Sequence, residues 1–248
     1  MNTYKDTKLN WEFGTAYDFF VSQFVLHNPE RFSLRPNWAA GVRSRLNPEL
    51  RQTLEHAINA FPSSIRFVFN LPVKNKDSDA VLKELGSKAP LKRLEDISAL
   101  EHASPIYQAI LHETKVNKPW TDAEREALHE NTSSPERRNN PRYLESLYAI
   151  WSDPKTFSDM YLAALTAYRD SFFAEEEQRI LPALKQALSY AQMRSGSLSL
   201  PLLLEELTSG VRYTDLEQTK NIYLAPSFWT APLMFSSRPE KDQLIILY

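Results

Sequence analysis

The stretch PKTFSDMYLAALTAYRDSFFAEEEQRILPALKQALSYAQMR, residues 154–194, decides the fold class. Phe157, Tyr161, Ala164, Tyr168 and Phe172 recur every three or four residues, the spacing of one helical face, and Met160 and Leu165 widen that face. Leu181, Leu184, Leu188 and Ala191 carry the stripe towards Gly196, a glycine placed where a helix closes. Pro182 lies inside the pattern. It lacks an N–H and clashes one turn back, so a kink or break is expected there, and a hinge is one use for it. Asp153-Pro154 opens the segment with a capping side chain followed by proline at the first helical position.

The same start signal recurs along the chain. Asn47-Pro48, Ser104-Pro105, Ser134-Pro135 and Asn140-Pro141 each predict a helix start, and Thr121-Asp122-Ala123-Glu124 reads as a capping box. Much of the proline content, 16 residues, is therefore helix punctuation, and only five glycines argue against a turn-rich β fold. Tyr17, Phe20, Phe24 and His27 predict a helix stopped by Pro29, and Ser78 to Leu85 predicts another. Pro201 to Leu207 predicts a short helix before Gly210. Residues 64–70 alternate polar and apolar, which suits a short strand or an extended connection.

After residue 219 the pattern changes. Asn221 to Leu224, Ala231 to Phe235 and Gln243 to Tyr248 read as strands, with a hairpin loop over 236–242. Leu9 to Phe13 reads as another. The expectation is a single mainly α domain over 1–248, closed by a small antiparallel sheet at about 219–248, with the N-terminal strand a candidate to join it (α+β). The chain ends inside an apolar strand at Tyr248, which points to a cut at a domain boundary or to a docked last strand.

Composition is globular: 42% hydrophobic, 24% charged. With no cysteine there is no disulfide, thiolate metal site, cysteine nucleophile or thiol sensor. The first residues carry no signal-peptide core, and no run approaches the ~18 apolar residues of a membrane helix, so a cytoplasmic location is expected. Residues 1–124 hold 16 basic and 15 acidic side chains and residues 125–248 hold 13 and 16. Neither half has the basic excess that duplex DNA binding usually requires.

No constellation for bond-making stands out. His27, His56, His102, His112 and His129 show no i, i+4 pairing for zinc, and the repeat Leu54-Glu55-His56-Ala57 and Leu100-Glu101-His102-Ala103 reads as chance. There is no nucleophile elbow, phosphate loop or dinucleotide fingerprint. Glu175-Glu176-Glu177 reads as a solvated helix face. Arg137, Arg138 and Arg142 form the one compact basic cluster and read as a polar loop before a helix start, with a phosphate or acidic partner as the alternative. A helix-turn-helix over Thr121 to Ile150 would have an over-long turn and few base-reading side chains. No catalytic, cofactor-binding or metal-ligating residue is assigned. The aromatics are 12% of the chain. Trp38, Trp120, Trp151 and Trp229 fall near element ends, where they pack the core or line a pocket for a small apolar ligand. The stripe Phe157, Tyr161, Tyr168 and Phe172 is core or a dimer seam.

The order of parts resembles the N-terminal region of a group of ArsR-like bacterial transcriptional regulators. Trp11-Glu12-Phe13 leads into an aromatic helix, Pro36-Asn37-Trp38 follows, a long helical middle comes next, and Trp229-Thr230-Ala231-Pro232-Leu233-Met234-Phe235 precedes Asp242 and the last strand. The resemblance covers nearly the whole chain on loose motifs. It implies an effector-binding or dimerisation domain, a homodimer, and DNA contact only through a winged helix expected beyond residue 248. It supplies no catalytic residues, and without cysteine ligands it does not carry metal sensing. The alternatives are a stand-alone enzyme with a scattered site and a protein-interaction scaffold.

Overall fold

A computed structural model describes residues 7–62, 64–100, 103–112, 119–132, 135–213 and 216–248. The chain is mainly helical with a small sheet. Strand β1 (Lys8–Trp11) leads into α1 (Ala16–His27), the centre of the helical body. Ten of its twelve residues are buried, Asp18, Ser22 and Gln23 among them, so the helix is enclosed on nearly every side. Around it stand α2 (Pro36–Arg43), α3 (Pro48–Ala60), α4 (Ile65–Phe69) and α5 (Ser78–Gly86). Next come α6 (Pro90–Ser98), α7 (Pro105–His112), α8 (Asp122–Asn131), α9 (Pro135–Arg138) and α10 (Pro141–Ser152).

Proline-led starts and their caps occur where the sequence places them. Asn47 accepts from the Leu50 N–H, Asn140 from Arg142 and Asp153 from Thr156, and Thr121 with Glu124 closes a reciprocal capping box. The Ser134 cap lies outside the described residues. Residues 64–70 are not extended: Ile65–Phe69 is a one-turn helix that buries Ile65, Phe67 and Val68. Seven residues carry too little period to separate the two states, and packing against α1 selects the helix.

The long aromatic segment is α11 (Pro154–Tyr168), a π turn over Arg169–Phe173, and α12 (Ala174–Ser195). Pro182 does not break α12, and the helix runs unbroken through it. The irregularity falls instead at the π turn, where the Ala174 N–H reaches back five residues to the Arg169 carbonyl. One inserted residue lets adjacent Phe172 and Phe173 both turn inward, Phe173 into the core beside Phe19. Gly196 ends α12 with ordinary right-handed angles, not the left-handed ones its glycine permits. Helix α13 (Leu200–Leu207) is capped by Thr208, and Gly210 in the turn beyond has a φ of 103°, which does require glycine.

The sheet order is β1-β2-β4-β3, with β2 (Asn221–Ala225), β3 (Phe235–Ser237) and β4 (Gln243–Leu247). It corrects the expected antiparallel meander. β1 is parallel to β2, β2 is parallel to β4, and only the β3–β4 hairpin is antiparallel. A parallel pair cannot be joined by a tight turn. Residues 226–234 therefore cross over the carboxyl end of β4 to reach β3, which runs back before β4 begins. Ile222, Leu224, Leu244 and Ile246 face α13, while Ala225, Ile245 and Leu247 face the helical body. No described helix is long and apolar enough to cross a membrane.

Candidate functional site

The crossing segment walls a pocket of about 340 Å³ lined by Val25, Phe32, Leu34, Trp38, Arg179, Phe228, Trp229 and Ala231. Its place follows from the topology: strands β1, β2 and β4 all end on this side, and the loop after β2 cannot fold flat onto them. In open parallel sheets the crevice beyond the carboxyl ends is where ligands collect. Two motifs far apart in sequence meet here. Trp38 on α2 stacks on Trp229 with centroids 6.1 Å apart and planes 15° apart. Phe172, turned in by the π turn, sets its edge against both rings at 6.2 and 6.3 Å. Phe228 meets Trp229 edge-on at 6.2 Å. Trp38 and Phe228 are 44% and 40% exposed, so the pocket opens to solvent between aromatic rims, whereas Trp229 is buried.

Asp18 fixes the loop. Its carboxylate accepts from the Ser227 hydroxyl at 2.7 Å and from the Trp229 backbone N–H at 2.9 Å, while its second oxygen meets no donor. Burial is the largest influence on this acid and raises its pKa to about 6; the Ser227 hydroxyl and the backbone N–H groups of Trp229 and Phe228 oppose that, and Glu176 adds to it. The Trp229 indole N–H is buried without an acceptor among the described residues. Arg179 lies 4.7 Å over the Phe228 ring and forks onto Glu176 at 2.8 and 2.5 Å.

The acidic run is thus not one solvated face. Glu175 is exposed, but Glu176 is buried on Arg179, and Glu177 accepts from the Thr15 hydroxyl at 2.5 Å and from the Ser78 N–H and hydroxyl at 2.9 and 2.6 Å. Successive helical positions step by 100°, which separates the three environments. Tyr161 and Tyr168 are buried in the core of their own chain, and Phe157 and Phe172 are half-buried against it.

The remaining candidates disperse. His27 Nδ1 meets the Gln23 carbonyl at 2.8 Å, and burial lowers its pKa. His56 Nδ1 lies 3.1 Å from the Ser146 hydroxyl, which also receives Asn59; Ser146 is only 1% exposed, so the contact ties α3 to α10 inside the core. His112 faces Glu95 at 3.4 Å. His102 and Glu101 lie outside the described residues. No group of three metal-ligating side chains occurs among the described residues. Arg138 binds the Thr132 carbonyl, Arg137 stacks over Tyr143 at 5.7 Å, and Arg142 is exposed. Helix α10 turns Tyr143, Leu147, Ile150 and Trp151 inward and exposes Arg142, Glu145 and Ala149 on its other side.

A second cavity of about 460 Å³ lies between α4, α6, α7 and α10, with Arg66, Arg137 and several hydroxyls on its wall. Its polar groups already pair within the protein: Tyr107 with Tyr143 at 2.8 Å, and Arg66 with the Arg238 carbonyl. Trp151 lines it as core, and Trp120 donates to the Tyr148 carbonyl and the Ser152 hydroxyl at 3.1 and 3.0 Å. Of the four tryptophans named from sequence, Trp38 and Trp229 come together at the aromatic pocket. Sequence reading missed Asp18, Phe228 and Arg179. An acid inside the apolar run Tyr17 to Val21 was the available signal for the first. The sequence matches no described protein family, and no similar chain was found among curated proteins or solved structures.

Proposed function

We propose that this chain is the ligand-sensing half of a bacterial transcriptional regulator, and that the aromatic pocket beyond the carboxyl ends of β1, β2 and β4 is its effector site. The observation that carries the reading is the stacking of Trp38 on Trp229 at a solvent-open cavity. Those two residues belong to the motifs on which the resemblance to ArsR-like regulators rests. A cavity of this size with apolar walls and few polar groups suits a small molecule. The wall is a loop pinned by two hydrogen bonds to Asp18, so a ligand that favours one loop position shifts its population.

The test is a fluorescence titration of the purified chain with phenylnaphthylamine, a neutral apolar dye. One saturable site is expected in the wild type, and it should be lost in Trp38→Ala and Phe228→Ala, whose rings are partly exposed. Absence of saturable binding, or binding untouched by both substitutions, would refute the pocket. The regulatory reading has its own test. The reading frame downstream of Tyr248 should encode a basic helix-turn-helix, and a stop codon there would count against it.

A further inference from the structure

Taking the aromatic pocket as the ligand site, the charge around its mouth narrows the class of guest. Residues 31–46, RFSLRPNWAAGVRSRL, supply three of its lining side chains, Phe32, Leu34 and Trp38. The same stretch holds four arginines and no acid, in a chain whose net charge is −2. Elsewhere arginines are neutralised: Arg93, Arg169, Arg194 and Arg212 each meet a carboxylate at between 2.7 and 2.9 Å. Arg179, on the pocket wall, is held by both oxygens of Glu176. Arg43 donates to the Leu26 carbonyl, and Arg31 has the exposed Glu30 beside it in the chain.

Arg35 and Arg45 are different. Both are exposed, and neither meets a carboxylate among the described residues. Arg35 stands one turn before Trp38, whose backbone N–H donates to its carbonyl at 3.0 Å. Arg45 donates to the Ser171 carbonyl at 2.8 Å and lies 5.9 Å over Phe172, the ring that sets its edge against Trp38 and Trp229. Both are thus rooted beside the exposed Trp38 ring, one through the backbone of its own helical turn and one through Phe172. An arginine side chain is long, keeps its head in water and presents five N–H donors in a fork that matches a carboxylate. A cavity with apolar walls and unneutralised guanidinium groups at its rim suits a guest whose apolar body enters while its negative charge stays at the mouth. We propose that the ligand is an aryl carboxylate, its carboxylate held at the opening by Arg35 and Arg45 while its ring lies against Trp38 and Phe228.

Calorimetric titration of the full chain at neutral pH with naphthylacetate and with naphthylacetamide tests the charge, since the two share ring and spacer. At low salt the acid is expected to bind the wild type about fivefold more tightly, the scale of an exposed charge-assisted contact. That preference should shrink in half-molar salt, which screens exposed charges. It should also shrink in the double variant Arg35→Gln with Arg45→Gln, which leaves the pocket lining intact. Equal affinity of acid and amide for the wild type at low salt, or tighter binding of the amide, would overturn the anionic ligand while leaving the pocket intact. A preference that survives the double substitution would overturn the role of the two arginines, and failure of acid and amide alike to bind would overturn the pocket reading itself. Both arginines are exposed, so the variant should melt with the wild type. If it does not, the salt series on the wild type decides alone, and a preference unmoved by salt overturns the charge contact.

Discussion

Replacing Asp18 by asparagine should flatten a specific part of the pH dependence of stability. Asp18 is fully buried and its pKa rises from 3.8 to about 6. The native state therefore holds a proton that the unfolded chain releases. Stability from this group is fully present below about pH 4 and is lost as pH rises through about 6. The shift of about two units corresponds to about 3 kcal/mol over the whole window. At about pH 5 the native acid is mostly protonated and the unfolded one mostly ionised, a gain of about 1.4 kcal/mol over pH 8. An asparagine keeps a carbonyl oxygen for Ser227 and the Trp229 N–H, and places its amide where the unpartnered oxygen sits. Urea unfolding of both proteins across pH 4 to 8 measures the effect. Subtracting the curves removes the other titrating groups, including Glu206, whose pair with Arg194 holds it down at about 2. The wild type should gain on the variant as pH falls. A difference that is flat with pH would refute a buried, proton-binding Asp18.

Gly14→Ala should lower stability by about 1–3 kcal/mol in urea unfolding, because a Cβ there would lie 2.4 Å from the Lys76 carbonyl oxygen and 2.5 Å from its Cβ. Glu177→Ala should cost about 2 kcal/mol by the same assay, with unchanged denaturant slope, since it strips the Ser78 N–H and hydroxyl and the Thr15 hydroxyl of their acceptor. Trp38→Ala should cost less than the ~3–5 kcal/mol of a buried ring, because 44% of the side chain is exposed, while abolishing saturable dye binding.

Local rules were legible because they act within one turn. The caps at Asn47, Thr121, Asn140 and Asp153 are each made by residues at most three apart. Strand sense was not legible, because β1 pairs with β2 across more than two hundred residues and no local pattern encodes that partnership. Pro182 shows the opposite failure. The helix continues through it with Ile180 and Leu184 buried on either side, so tertiary packing overrides the local break signal. The pocket was half visible. Trp38 and Trp229 announced themselves by size and motif, but Phe172 enters only through the π turn, and Arg179 only through α12 passing beneath Phe228.

The wall of the pocket and the end of the last strand are one mechanical unit. The Ser227 N–H is bound to the Tyr248 carbonyl at 2.7 Å, and the Tyr248 N–H to the Ala225 carbonyl at 3.1 Å. A guest that pushes Phe228 and Trp229 outward strains that bracket, and tension applied at Tyr248 tugs the same loop from its other side. Occupancy and pull therefore act on one shared joint, so each should be readable at the position of the other.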